Sequence, residues 1–230
     1  MNQHKQRQPA NPSTQSGFTI IESLIAIIVV TILMIGLAPI ITMAVANRVQ
    51  ARRVERATQA ASSYIDGVNS GNIPFVPNSD NEQLKNAFSE GSNFSEVDPP
   101  SQGSLNCAPS GYCASPQPQD SVLYCVDNPE DGEECTGYQD FIIQAIGKIP
   151  PPPNTGIRRY TSYRLGVRVY RADAFTSDFV EGFTNQGTQL SATGGIGLSK
   201  TQAPLAQITT EIGVDSSTFQ TICDEANIDC

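Results

Sequence analysis

The chain has 230 residues, with 14 Lys+Arg against 23 Asp+Glu for a net charge of −9, one His, no Trp and six Cys. The first 56 residues hold six of the basic residues and two of the acidic ones, which leaves 8 against 21, or −13, for residues 57–230. So acidic a domain is a poor candidate for gripping phosphate backbones through Lys and Arg, and no nucleic acid is expected as a partner.

The single histidine, His4, lies in a polar leader, MNQHKQRQPANPSTQSG. Without that leader the chain has no imidazole for a Ser-His-Asp or Cys-His nucleophile system or for a His-rich zinc site, so no enzymatic activity and no cofactor are expected.

From Ser23 to Asn47 there are 25 consecutive residues without a charge, dominated by Ile, Val, Leu and Ala. As a helix this run measures about 38 Å, more than the roughly 30 Å hydrocarbon core of a bilayer. A buried core helix is usually shorter and lacks a polar leader on one side and an arginine cluster on the other. An ordinary cleaved secretory signal has a shorter apolar part. Glu22 stands four residues inside the apolar segment that opens at Phe18. A charge there costs on the order of 2.5–3.5 kcal/mol and asks for a partner.

Helical spacing continues beyond the apolar run. Arg48, Arg52, Arg53 and Arg56 fall largely on one side, while Val54, Ala57, Ala61, Tyr64 and Val68 recur three and four residues apart on another. One helix over about 18–69 is expected, membrane-spanning over 18–47 and amphipathic over 48–70. Pro39, inside the span, predicts a kink or a local melt. Gly71, Pro74 and Pro77 stop the helix.

Residues 71–120, rich in Pro, Ser, Asn and Gly, read as a long loop region. Strands are expected over Ser121–Val126, Phe141–Ile146 and Tyr160–Tyr170 within a β-rich domain spanning 121–230. In the last, Tyr163, Leu165, Val167 and Val169 alternate with Arg164, Gly166, Arg168 and Tyr170, the period of a half-buried strand. Pro150 to Pro153 form a stiff spacer. No strand is placed beyond Glu181, and Gly194-Gly195-Ile196-Gly197 reads as a loop. The fold class is α+β: one long amino-terminal helix packed on a small antiparallel sheet, with disulfide-closed loops.

Cys107, Cys113, Cys125, Cys135, Cys223 and Cys230 all lie on the far side of the apolar segment from the leader. Six cysteines allow 15 connectivities. Sequential neighbours are expected to pair, which places the domain in an oxidising compartment, the periplasm or the exterior. No Cys-x-x-Cys pair supports a zinc reading. The positive-inside rule points the other way, since four arginines follow the apolar run while only Lys5 and Arg7 precede it; the cysteines and the leader outweigh it. Asp127, Glu130, Asp131, Glu133 and Glu134 cluster in the Cys125–Cys135 loop, where a solvated acidic turn is favoured over a calcium site.

Ser16-Gly17-Phe18-Thr19-Ile20-Ile21-Glu22-Ser23-Leu24, behind a short basic leader and opening an apolar helix, closely resembles the type III signal of type IV pilins and pseudopilins. Pro39 is the twenty-second residue counted from Phe18, where members commonly carry a proline. The resemblance implies removal of residues 1–17 by a prepilin peptidase, which cuts between Gly17 and Phe18 and methylates the new amine of Phe18. It implies Glu22 as an assembly residue pairing with that amine. It also implies anchoring in inner-membrane lipid, with the carboxyl-terminal domain periplasmic, and partnership with other pilins and an inner-membrane assembly platform.

The long insertion, cysteine loops and acidity resemble a low-copy subunit. The segment from Ile20 to Val68 looks like the hormogonium polysaccharide secretion pseudopilins of cyanobacteria, which implies exported polysaccharide as a further partner and support of gliding. Service in type II protein secretion, DNA uptake or adhesion is the alternative within that class. A membrane-tethered carbohydrate-binding or enzymatic domain is the alternative outside it.

Overall fold

The computed structural model describes residues 19–76, 82–91, 93–95, 97–98, 100, 103–115, 120–128, 135–137, 139–150, 162–176 and 204–228. Two compact units divide the chain, one up to Ala46 and one from Asn47 onward.

Helix α1, Ile20–Asn69, runs 50 residues and stays helical through Pro39 with no local melt. In the unit from Asn47 onward, called the outer unit for its place along the sequence beyond the apolar run, the 3/4-spaced stripe is the buried one: Ala57, Ala61, Tyr64 and Val68 are in the core, joined by Ala60 and Ile65, with Val54 half-buried. The helix ends where Gly71, at φ 75°, enters the left-handed region that glycine tolerates.

The long strand β5, Phe141–Ile149, is buried at every position and organises the sheet. It extends three residues past the expected Phe141–Ile146. On one edge it pairs antiparallel with β6, Ser162–Arg171, from Phe141↔Arg171 to Lys148↔Arg164. Its other edge is shared. Strand β4, Val122–Val126, pairs antiparallel with Phe141–Ala145, and β1, Phe88–Glu90, pairs parallel with Gly147–Ile149. Strand β7, Ala206–Gly213, pairs antiparallel with β6, giving a five-stranded sheet that is antiparallel apart from β1.

Residues 71–120 hold more than a loop. They supply helix α2, Glu82–Lys85, strand β1 of the main sheet, and a small antiparallel pair, β2 (Asn106–Cys107) and β3 (Cys113–Ser115). Beyond Glu181, where the sequence marks no strand, lie β7 and helix α4, Ser216–Ala226. A short turn, α3 (Asp173–Thr176), follows β6.

The two faces of the sheet bury different chemistry. Phe141, Ile143 and Ala145 of β5 and Tyr163, Leu165, Val167 and Val169 of β6 share one apolar core with the α1 stripe and with Phe219, Ile222 and Cys223 of α4. The opposite face carries Ile142 and Tyr170 in a second cluster with Cys125 and Cys135, and Ile146 in a third with Phe94 and Val97. Thus β6 is buried on both faces rather than half-buried, because the segment around 94–98 covers the side on which Arg168 stands.

Arg168, only 7% exposed, donates to the carbonyls of Phe94 (2.6 Å) and Val97 (2.8 Å) and to Gln144 Oε1 (3.3 Å). Gln144 in turn donates to the Asp98 carbonyl at 2.8 Å and to Ser121 Oγ at 2.9 Å. The guanidinium thereby satisfies carbonyls that burial would otherwise strand. Gly166 completes the fit, since a Cβ there would come within 2.4 Å of the Phe94 ring.

Two disulfides are described, Cys107–Cys113 and Cys125–Cys135, each between sequential neighbours. Cys223 is also disulfide-bonded; Cys230, its expected partner, lies outside the described residues.

Candidate functional site

Site geometry begins at the first turn of α1. Thr19, the residue before the helix, accepts the Glu22 backbone N–H on its hydroxyl oxygen at 3.3 Å, and its carbonyl accepts from Ser23 N–H (3.1 Å) and Ser23 Oγ (3.2 Å). Thr-x-x-Glu is the spacing of a capping box, in which a threonine hydroxyl satisfies an orphan N–H and the glutamate sits at the positive end of the helix. That spacing is visible in Thr19-Ile20-Ile21-Glu22 and gives Glu22 a local role that its apolar surroundings alone do not reveal. Gly17 and Phe18, the expected scissile pair, lie outside the described residues.

Beyond that turn the helix is a continuous apolar surface. From Ile20, 89% exposed, to Val49, 46% exposed, its large apolar side chains all face outward. The hydroxyls along the way are turned inward. Ser23 donates to the Thr19 carbonyl, Thr31 to the Ile27 carbonyl at 2.7 Å and Thr42 to the Pro39 carbonyl at 2.9 Å. A hydroxyl satisfied by its own helix can sit in hydrocarbon without an unpaired donor, so the polar residues do not interrupt the apolar surface. The helix is long and apolar enough to cross a membrane.

Arg48, Arg52 and Arg56 follow on an exposed face, with Arg53 half-buried. Among the described residues, ion pairs join Lys85 to Glu225 and Arg171 to Asp173, and neither involves these arginines.

In the outer unit, Cys125, Asp127 and Cys135 bring potential ligand atoms within 4.8 Å of one another. The two sulfurs are bonded together, which removes both thiolates and leaves one carboxylate, itself accepting the Cys135 N–H at 3.4 Å. Glu130, Asp131, Glu133 and Glu134 lie outside the described residues. Near α1 the tyrosines form a structural cluster. Tyr112 donates to the Pro74 carbonyl at 2.7 Å and stands 3.2 Å from the Tyr64 hydroxyl, so Tyr64 is the donor between them. Burial pushes both phenols well above their ordinary range.

Residues 12–38 match the prokaryotic N-terminal methylation motif. Among curated proteins and among solved structures, nothing matches the chain. The matched residues contain the expected cleavage pair, the capped first turn with Glu22, and more than half of the exposed apolar surface, so that motif and geometry coincide. At its amino terminus, then, the chain carries the signal of a type IV pilin or pseudopilin, opening a membrane-length apolar helix that heads an α+β, pilin-like fold.

Proposed function

We propose that this chain is a minor pilin or pseudopilin, a non-enzymatic subunit of a type IV pilus-like machine that supports polysaccharide secretion and gliding motility. One observation carries the reading: the methylation motif at 12–38 runs directly into an apolar helical surface left uncovered in the single chain. Such a surface is stable only in lipid or against other helices of its kind. A subunit that moves from bilayer to filament meets both environments.

In this proposal the prepilin peptidase cuts between Gly17 and Phe18 and methylates the Phe18 amine. The Glu22 carboxylate then pairs with a Phe18 amine within the packed helices, offsetting the burial of both charges. The subunit is anchored by α1 in the inner membrane with its outer unit periplasmic, where disulfides persist. The polysaccharide assignment rests on the likeness of Ile20–Val68 to the hormogonium secretion pseudopilins.

The test is to co-express the chain with its prepilin peptidase and determine the mature amino terminus by mass spectrometry. N-methylated Phe18 is expected in the parent and the intact leader in Gly17→Ala. A cut at a small residue beyond Ala38 would overturn the pilin reading. For the finer assignment, cells lacking the chain are expected to lose exported polysaccharide and surface gliding together; retention of both would move the subunit to another machine.

A further inference from the structure

We propose that Arg48, Arg52, Arg53 and Arg56 form a clamp for the phosphates of anionic phospholipid on the surface at which α1 leaves the membrane. The clamp holds the subunit in the bilayer until it is assembled. This rests on the membrane-anchored reading given above.

Position is the first argument. Ile20–Ala46 is 27 residues of helix, about 40 Å, which matches the roughly 40–45 Å of a bilayer with its headgroup layers. Arg48 follows two residues later, and Arg52 and Arg56 stand about 6 and 12 Å further along the axis, so the row meets the phosphates where the helix leans over the surface rather than standing upright on it. Geometry around the helix is the second. Arg48, Arg52 and Arg56 recur every fourth residue and so form one row, and their exposure contrasts with Ala57, Ala61 and Tyr64, buried on the opposite side of the same helix. The row is therefore free to face a surface while the other side packs in the core.

Charge is the third argument. Four guanidinium groups lie within nine residues with one acid, Glu55, among them, and none of the four forms an ion pair among the described residues. Guanidinium is suited to phosphate because its fork of N–H donors matches phosphate oxygens in pairs, and its aliphatic stem lies comfortably over the acyl boundary. A cationic cluster on the exported side also opposes the usual retention of positive charge on the side of synthesis, a bias that an anion binding the cluster there offsets.

The chain contains no tryptophan, so one introduced residue becomes a lone fluorescent reporter. The full chain carrying Ala51→Trp would be placed in nanodiscs of phosphatidylcholine and phosphatidylglycerol. Quenching by brominated phosphatidylglycerol is then compared with quenching by brominated phosphatidylcholine. A preference for phosphatidylglycerol at position 51 is expected, falling as salt rises. Each arginine contributes on the order of fivefold, the equivalent of about 1 kcal/mol for a basic residue at an anionic surface. Arg48→Gln with Arg52→Gln, the pair nearest the span, should remove most of the preference, and replacing all four by Gln should abolish it.

The same chain with Leu33→Trp instead reports the span itself. Quenching of that residue by both lipids, with no preference at position 51, would overturn the clamp and leave the membrane reading standing. No quenching at position 33 would remove the membrane reading and the clamp together. An unchanged preference in the fourfold Gln variant, with loss of cross-linking between copies in the same discs, would assign the row to the acidic surface of a second subunit and so overturn the proposal.

Discussion

Between Ile20 and Val49 helix α1 leaves its large apolar side chains exposed, whereas from Ala57 to Val68 it buries one stripe, alanines together with Tyr64, Ile65 and Val68, against the sheet. The first stretch is apolar all round and the second on one stripe, and each pattern states its solvent. Large side chains all round demand an environment supplied from outside the chain. A stripe carrying Ala57, Ala60 and Ala61 has that environment built in, as strands β5 and β6. Stability of the outer unit and residence in the membrane are therefore expected to respond to different substitutions in the same helix.

A charge placed in the uncovered stretch is expected to have the largest effect. Leu33→Arg should cost about 3 kcal/mol of membrane insertion while leaving the thermal unfolding of the outer unit unchanged. Carbonate extraction and circular dichroism on one preparation separate the two readouts. A lowered unfolding temperature would dissolve the distinction between the halves. The converse substitution is Ala61→Leu, which overfills a fully buried position and should cost about 2 kcal/mol in urea unfolding, with membrane insertion intact.

A finer probe is Tyr64→Phe, which removes the donor to Tyr112 and is expected to cost about 1 kcal/mol. It bears on alkaline behaviour too. Burial raises the phenols of Tyr64, Tyr112 and Tyr163, and that of Tyr170 to about 12, so they stay neutral in the fold while the unfolded chain ionises near 10. The stability they confer is full below that value and is lost progressively as pH rises from there through the folded values. Tyrosinate absorbance from these residues should therefore appear with unfolding rather than ahead of it.

The smallest effect concerns α4, whose cap is Asp215. Its carboxylate accepts from the Ser217 hydroxyl and N–H and from Thr218, which holds it well below its ordinary value of 3.8. Its contribution is present above 3.8 and is lost as pH falls toward the folded value. Asp215→Asn, which caps without titrating, should flatten that part of the acid dependence of the unfolding temperature.

Both halves of α1 were legible because the first is continuously apolar over many residues and the second keeps one helical period. Strands β4, β5 and β6 were legible from alternation or continuous apolarity. Strand β1 was not, since three residues, Phe88-Ser89-Glu90, carry no period, and only the free edge of β5 beyond Ala145 makes them a strand. In β7, Ile208 and Ile212 mark one face but lie among Thr and Gln, and the strand is defined by its register with β6. The cap of α4 was readable: Asp215 precedes Phe219, Ile222 and Cys223 at helical spacing.

Arg168 was misread for a physical reason. A charged side chain in an alternating strand ordinarily faces water, and here a loop folds back to offer it carbonyls instead. At the functional end, the Gly17–Phe18–Glu22 pattern stands out in sequence, while the inward turn of the Ser23, Thr31 and Thr42 hydroxyls is a matter of rotamer that sequence does not specify.

Helix α4 sets the order in which the molecule is finished. Its Phe219, Ile222 and Cys223 enter the same core as Ala57 and Tyr64, and Glu225 closes onto Lys85, so one core is completed by residues more than 130 positions apart in sequence. Contacts of such long sequence separation form late and slowly. Until α4 docks, the side of the core built by Ala57, Ala61 and Tyr64 stays incompletely covered. A truncation before Ser216 would thus leave that core open while the apolar stretch of α1 is unchanged.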